Sequence, residues 1–124
     1  MNATIRVFSV DDHALFREGI AMLINCQPGM LMVAQASSGR EAIERFREHK
    51  PDVTLMDLRL PDMSGIDAMI AIRKEFPEAR VIILTTFESD TESRRAFAEG
   101  ASAYMLKNGH PKDLAEIIRR VHGQ

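Results

Sequence analysis

Cysteine is nearly absent from this chain. Its 124 residues include one, Cys26, so no internal disulfide can form and a cysteine-based metal cluster is excluded. Tryptophan is missing, tyrosine occurs once, and no apolar run approaches the roughly 20 residues that span a bilayer. Nor is there an excess of charge. Lys plus Arg number 16 against 18 Asp plus Glu, a net charge of −2, which excludes a generally basic nucleic-acid binder and an acidic disordered tail. Repeats, low-complexity tracts and Pro/Gly/Ser-rich linkers are absent too. The opening Met1-Asn2-Ala3-Thr4 lacks the basic and apolar regions of a signal peptide. The expectation is one soluble, cytoplasmic domain over residues 1–124, large enough to hold a core without staples.

What is present is an alternation. Short apolar, β-branched runs occur at Ile5–Val10, Met30–Ala36, Val53–Met56, Val81–Thr86 and Ala103–Leu106. Longer segments with helical spacing separate them. Leu114, Ile117, Ile118 and Val121 fall on one helix face, Met69, Ile72 and Phe76 on another, and Ile43 and Phe46 mark a third. Leu15, Met22 and Cys26 are read as the stripe of the first helix, with Cys26 a buried, inert thiol. In the polar stretch Thr91–Glu99, Phe97 is the expected apolar anchor. Ser38 with Glu41 and Ser89 with Glu92 fit capping boxes, and Ser64 with Asp67 is a weaker version. Pro111 suits a first helical turn and Gly100 a helix end. The pattern βαβαβαβαβα predicts an α/β fold: a five-stranded parallel sheet, helices on both faces, in the flavodoxin-like order 2-1-3-4-5. Ligands of such sheets sit at the carboxyl ends of strands 1 and 3, where the winding reverses.

That edge is where the polar residues gather. Strand 1 runs into Asp11-Asp12, strand 3 into Asp57, strand 4 ends at Thr85-Thr86, and strand 5 runs into Lys107. Taken singly, these residue types are more often caps, strand-end turns and solvated loop charges. Together they form the donor set of a phosphate or metal site. Three adjacent carboxylates with one ammonium leave net negative charge, which invites a cation. Oxygen donors with few protein ligands suit Mg²⁺ held jointly with phosphate oxygens. One carboxylate could then act as nucleophile toward phosphorus, with metal and ammonium neutralising the transferring group and Thr85 bonding a phosphoryl oxygen. No Gly-x-Gly-x-x-Gly or P-loop follows strand 1, and His13, His49, His110 and His122 show no metal-ligand spacing. His13 is read as a first-turn helix residue, and the eight methionines as packing material.

The chain resembles the receiver domain of bacterial two-component response regulators, most closely the NarL/FixJ (LuxR-class) transcriptional regulators. The likeness runs over essentially the whole length. It is carried by Asp11-Asp12-His13 with Leu15-Phe16-Arg17-Glu18-Gly19, by Leu55-Met56-Asp57-Leu58-Arg59-Leu60-Pro61 with Met63-Ser64-Gly65, by Leu84-Thr85-Thr86, and by Gly100-Ala101-Ser102-Ala103-Tyr104-Met105-Leu106-Lys107. The resemblance implies that Asp57 accepts the phosphoryl group. It implies Mg²⁺ on Asp12 directly, on Asp11 partly through water, on Asp57, and on the backbone carbonyl of Arg59. Lys107 would pair with the phosphoryl group. Thr85 would swing toward it and Tyr104 would move inward, reshaping the face made by the fourth helix, fifth strand and fifth helix. The implied protein is a signalling module that catalyses its own phosphorylation and dephosphorylation, not a turnover enzyme. Its implied partners are a sensor histidine kinase, a second copy on phosphorylation, and DNA only through a C-terminal helix-turn-helix domain lying beyond this sequence.

Three features depart from the common pattern. Asn108 follows Lys107 where many receivers have proline in a cis link. Thr86 is bulkier than the usual small residue and would narrow access to Asp57. Arg59 and Phe87 flank the site and would shield an acyl phosphate from water. Other classes stay in view. An aspartyl-phosphate phosphohydrolase would want an aspartate where Arg59 stands. A flavin binder would want a hydroxyl- and glycine-rich phosphate loop. A degenerate receiver would act through protein contacts alone.

Overall fold

The computed structural model describes residues 4–86 and 89–123. Five strands and five helices alternate: β1 (Ile5–Val10), α1 (Ala14–Asn25), β2 (Met30–Ala36), α2 (Gly39–His49), β3 (Val53–Asp57), α3 (Gly65–Glu75), β4 (Val81–Thr85), α4 (Asp90–Ala98), β5 (Ala103–Leu106) and α5 (Pro111–His122). The sheet is parallel in the order β2-β1-β3-β4-β5, as expected. Strand 3 takes in Asp57, and strand 4 stops at Thr85, one residue short of the expected end.

The central strands are buried on both faces, so successive residues feed two separate cores. Phe8, Val10, Met56, Val81 and Ile83 join the side covered by α2, α3 and α4. Val7, Val53, Leu55, Ile82 and Leu84 join the side covered by α1 and α5. Each face of the sheet therefore has its own apolar filling.

Helix starts follow their side-chain chemistry. Ser38 Oγ accepts the Glu41 N–H at 3.1 Å, and the Glu41 carboxylate reaches back to the N–H of Ser37, one residue before the cap. Ser89 Oγ accepts from Glu92 N. Ser64 instead bonds the N–H of Ile66, and the Asp67 carboxylate pairs with Arg95 of α4 at 2.7 Å. Pro111 opens α5, and Gly100 takes φ +105° just past α4, a conformation that disfavours side chains.

Two helix faces differ from the sequence reading. In α1 the buried residues are Ile20 and Ile24, with Phe16 and Leu23 packed beside them, whereas Leu15 and Met22 are 83% and 70% exposed and Cys26 is an exposed C-cap residue. The helix carries apolar residues on two sides. The bulkier set at i, i+4, i+7 and i+8 won the sheet. In α4 the buried residue is Ala96, and Phe97 is half exposed. The small side chain lets this polar helix approach the sheet. Of the methionines, Met30, Met56 and Met69 are buried as packing material, but Met22 is not.

Candidate functional site

Register brings the polar residues together. Val10 pairs with Met56, so Asp11 follows β1 beside Asp57, the last residue of β3. Thr85 pairs with Leu106, so Lys107 leaves the sheet beside the end of β4, where its N–H bonds the Thr85 carbonyl at 2.7 Å. All of this happens at the carboxyl edge.

Lys107 is the hub. Its Nζ lies 2.5 Å from Asp11 Oδ2 and 3.2 Å from Asp57 Oδ2, and 4.6 Å from the centre of the Phe16 ring. The ring supplies an apolar wall and a cation–π contact that hold the ammonium inward. Asp11, Asp57 and Thr85 are buried, while Asp12 stands on the rim. The Lys107–Asn108 peptide is trans.

The loop after β3 is tied down closely. The Gly65 N–H bonds the Leu58 carbonyl at 2.7 Å, and a Cβ at position 65 would run into the Asp57 carbonyl. Only glycine lets α3 start this near the acid. Asp62 accepts from the N–H groups of Gly39 and Arg40 at 2.8 and 2.9 Å, clamping the same loop to the start of α2. Those bonds hold its carboxyl below the usual carboxylate range. Arg59 is exposed, with its N–H 3.4 Å from Asp57 Oδ1. Thr86 is exposed on the rim, and Phe87 lies outside the described residues.

Charge in the pocket is unbalanced. Burial pushes the Asp57 carboxyl above its ordinary range, and the Asp11 charge pushes it further. The Lys107 charge and hydrogen bond and the Arg59 N–H pull it back only in part. Asp11 Oδ2 is buried and makes no well-directed hydrogen bond, although the Lys107 ammonium faces it. Three carboxylates thus share one ammonium. An all-oxygen donor set with residual negative charge fits a hard divalent cation.

Three neighbours were given no role at the site from the sequence. The Arg17 guanidinium donates to the Asp11 carbonyl at 2.5 Å, pinning α1 to the β1 end. The Phe16 ring contact and the Asp62 clamp likewise carry no local sequence signal. His13, expected in a first turn, is the N-cap residue of α1, makes no side-chain cap, and turns its ring onto Asp11 and Asp12. Tyr104 is half-buried and packs against the core under α2, α3 and α4.

Comparison with known proteins decides the family. The response regulator receiver domain model matches residues 7–119. This chain belongs to the response regulator receiver family. Among curated relatives, the VraR response regulator of Staphylococcus aureus strain N315 is 41% identical over 117 residues, covering 94% of this chain and 56% of VraR. The chain spans about half the length of the curated relatives it matches. A LuxR-family two-component response regulator from Aurantimonas sp. SI85-9A1 superposes with a TM-score of 0.94 at 38% identity, over 98% of this chain and 86% of that one. A LuxR-family DNA-binding response regulator from Staphylococcus aureus gives 0.89 at 27% identity, over 95% and 98%. The domain is a receiver of the NarL/LuxR type, part of two-component signalling. No helix among the described residues is long and apolar enough to cross a membrane.

Proposed function

We propose that this receiver takes a phosphoryl group onto Asp57 from the phosphohistidine of a partner sensor kinase, with Mg²⁺, and that the modification switches a transcriptional output. What carries the reading is the Asp57 carboxylate: buried, raised in pKa, and 3.2 Å from a lysine that also holds Asp11.

Each residue has a part. Asp57 Oδ would attack phosphorus while the phosphorus–nitrogen bond of the donor imidazole breaks, the electron pair leaving with the imidazole. Asp11, Asp12, Asp57 and the Arg59 carbonyl would hold Mg²⁺, which supplies positive charge to the transferring oxygens when bound. Lys107 is already poised at Asp57 and would move its contact to a phosphoryl oxygen. Thr85, buried at the end of β4, would donate its hydroxyl to another. Tyr104 lies two residues along β5 from Leu106, which pairs with Thr85, so a shift of Thr85 would reach it through β4 and β5. The phosphoryl group brings roughly two negative charges and strong acceptors, enough to bias a two-state equilibrium through contacts made in only one state.

The domain would thus catalyse its own charging and discharge as a cytoplasmic signalling module. A second copy on phosphorylation and a C-terminal helix-turn-helix domain contacting DNA complete the proposal, and the DNA-binding LuxR-family relative supports the latter. Intact mass spectrometry after incubation with acetyl phosphate and Mg²⁺ tests the core of it. One labile phosphoryl adduct is expected, absent without Mg²⁺ and absent in Asp57→Ala. An adduct that persists in Asp57→Ala overturns the assignment.

A further inference from the structure

Neither helix capping nor phosphoryl transfer accounts for the ring of His13. It sits at the mouth of α1 without capping it, 68% exposed, with Nδ1 2.9 Å from Asp11 Oδ1 and 3.3 Å from Asp12 Oδ1. Ligand atoms of Asp11, Asp12, His13 and Asp57 all lie within 4.8 Å of one another. Bonds from first-row divalent ions to nitrogen and oxygen run about 2.0–2.2 Å, so two donors on one ion stand about 3.0 Å apart at right angles and about 3.4 Å apart at the tetrahedral angle. The two His13 separations fall on those edges. Without an ion, Nδ1 and Asp11 Oδ1 are hydrogen-bonding partners; in the tautomer with the proton on Nε2 the same Nδ1 presents a lone pair to a metal, and the exposed ring leaves Nε2 to water.

We propose, resting on the receiver-site reading above, that His13 is a further metal ligand, and that through it the acidic pocket accepts first-row transition ions such as Ni²⁺ and Zn²⁺ as well as Mg²⁺. The physical basis is donor softness. Mg²⁺ prefers oxygen and would use the carboxylates, leaving the ring aside, whereas imidazole suits Ni²⁺ and Zn²⁺. Both kinds of ion need Asp12, so they compete. Occupancy of the pocket then follows the ratio of the two free ion concentrations. The other histidines sit elsewhere: His110 caps α5 with its Nδ1 on the Lys112 N–H, and His49 and His122 close α2 and α5.

Calorimetric titration of the 124-residue chain with Ni²⁺ and with Mg²⁺ reads the effect directly. The ratio of the Ni²⁺ to the Mg²⁺ association constant should fall at least tenfold in His13→Ala. Imidazole ¹⁵N spectra with Zn²⁺ should show one ring shifted at Nδ1, the signal lost in His13→Ala. An unchanged ratio and an unshifted ring, with both ions still lost in Asp12→Asn, sinks the His13 assignment while leaving the acidic site standing. Mg²⁺ binding that survives Asp12→Asn overturns the site reading itself.

Discussion

At the scale of single residues, the pocket is held in tension by charge. Asp57 is raised in pKa, so its neutral form is favoured by folding, and the ionised form costs stability. That cost is absent below the ordinary carboxylate value of 3.8 and grows as pH rises through the raised folded value. Asp57→Asn, which removes it, should raise Tm at neutral pH by a few degrees without divalent ions. The gain should shrink toward acid pH and when Mg²⁺ is added, as calorimetric scans across pH would show. Lys107 has the opposite character. Lys107→Ala strands Asp11 and Asp57 in the interior, with an expected loss of about 3 kcal/mol at neutral pH by denaturant unfolding, smaller where the acids protonate. The acids and the lysine were legible in the sequence because each closes an apolar strand run. Phe16 and Arg17 were not. Their contacts depend on how α1 lies across the β1 end, which no local pattern encodes.

At the scale of elements, caps and close approaches decide where helices start. Asp62 caps α2 from a distant loop, so Asp62→Ala should cost about 1 kcal/mol, measured by urea denaturation. This exposed carboxyl is held low, so its small contribution persists above the usual carboxylate range and is lost as pH falls through its folded value. Gly65→Ala has no room, since the clash is with backbone, and should cost on the order of 3 kcal/mol while disturbing Asp57. The two serine N-caps could be read directly because they are local. The faces of α1 and α4 could not, because each helix offers more than one apolar side and only the sheet chooses between them. Ile20→Ala should therefore cost about 3 kcal/mol, and Met22→Gln less than about 0.5 kcal/mol, reversing the ranking that the Leu15–Met22–Cys26 stripe implies.

Across the whole molecule, stability is uneven. Strands β1, β3 and β4 are filled on both faces, while α4 buries Ala96 alone and is otherwise tied to α3 by the exposed Arg95–Asp67 pair. Native-state hydrogen exchange should find the amides of α4 opening well before those of β3 and β4. Uniform protection across α4 and the central strands would contradict this. The helix beside Thr85 and Tyr104 is thus held more lightly than the central strands. Fold order and the site's position were readable together, since one rule ties the winding reversal to the carboxyl edge and the strand runs fix which residues reach it.

The end of α1 has a practical corollary. Cys26 is accessible and has no second thiol in the chain. Since α1 runs back from the acidic pocket, its last turn lies at the far rim of the sheet. A maleimide dye or spin label would attach there at one defined point, reporting on tumbling and self-association while leaving the acidic pocket untouched. Air oxidation during storage would link copies in pairs through the same atom, so a reducing agent or Cys26→Ser belongs in any measurement of oligomeric state.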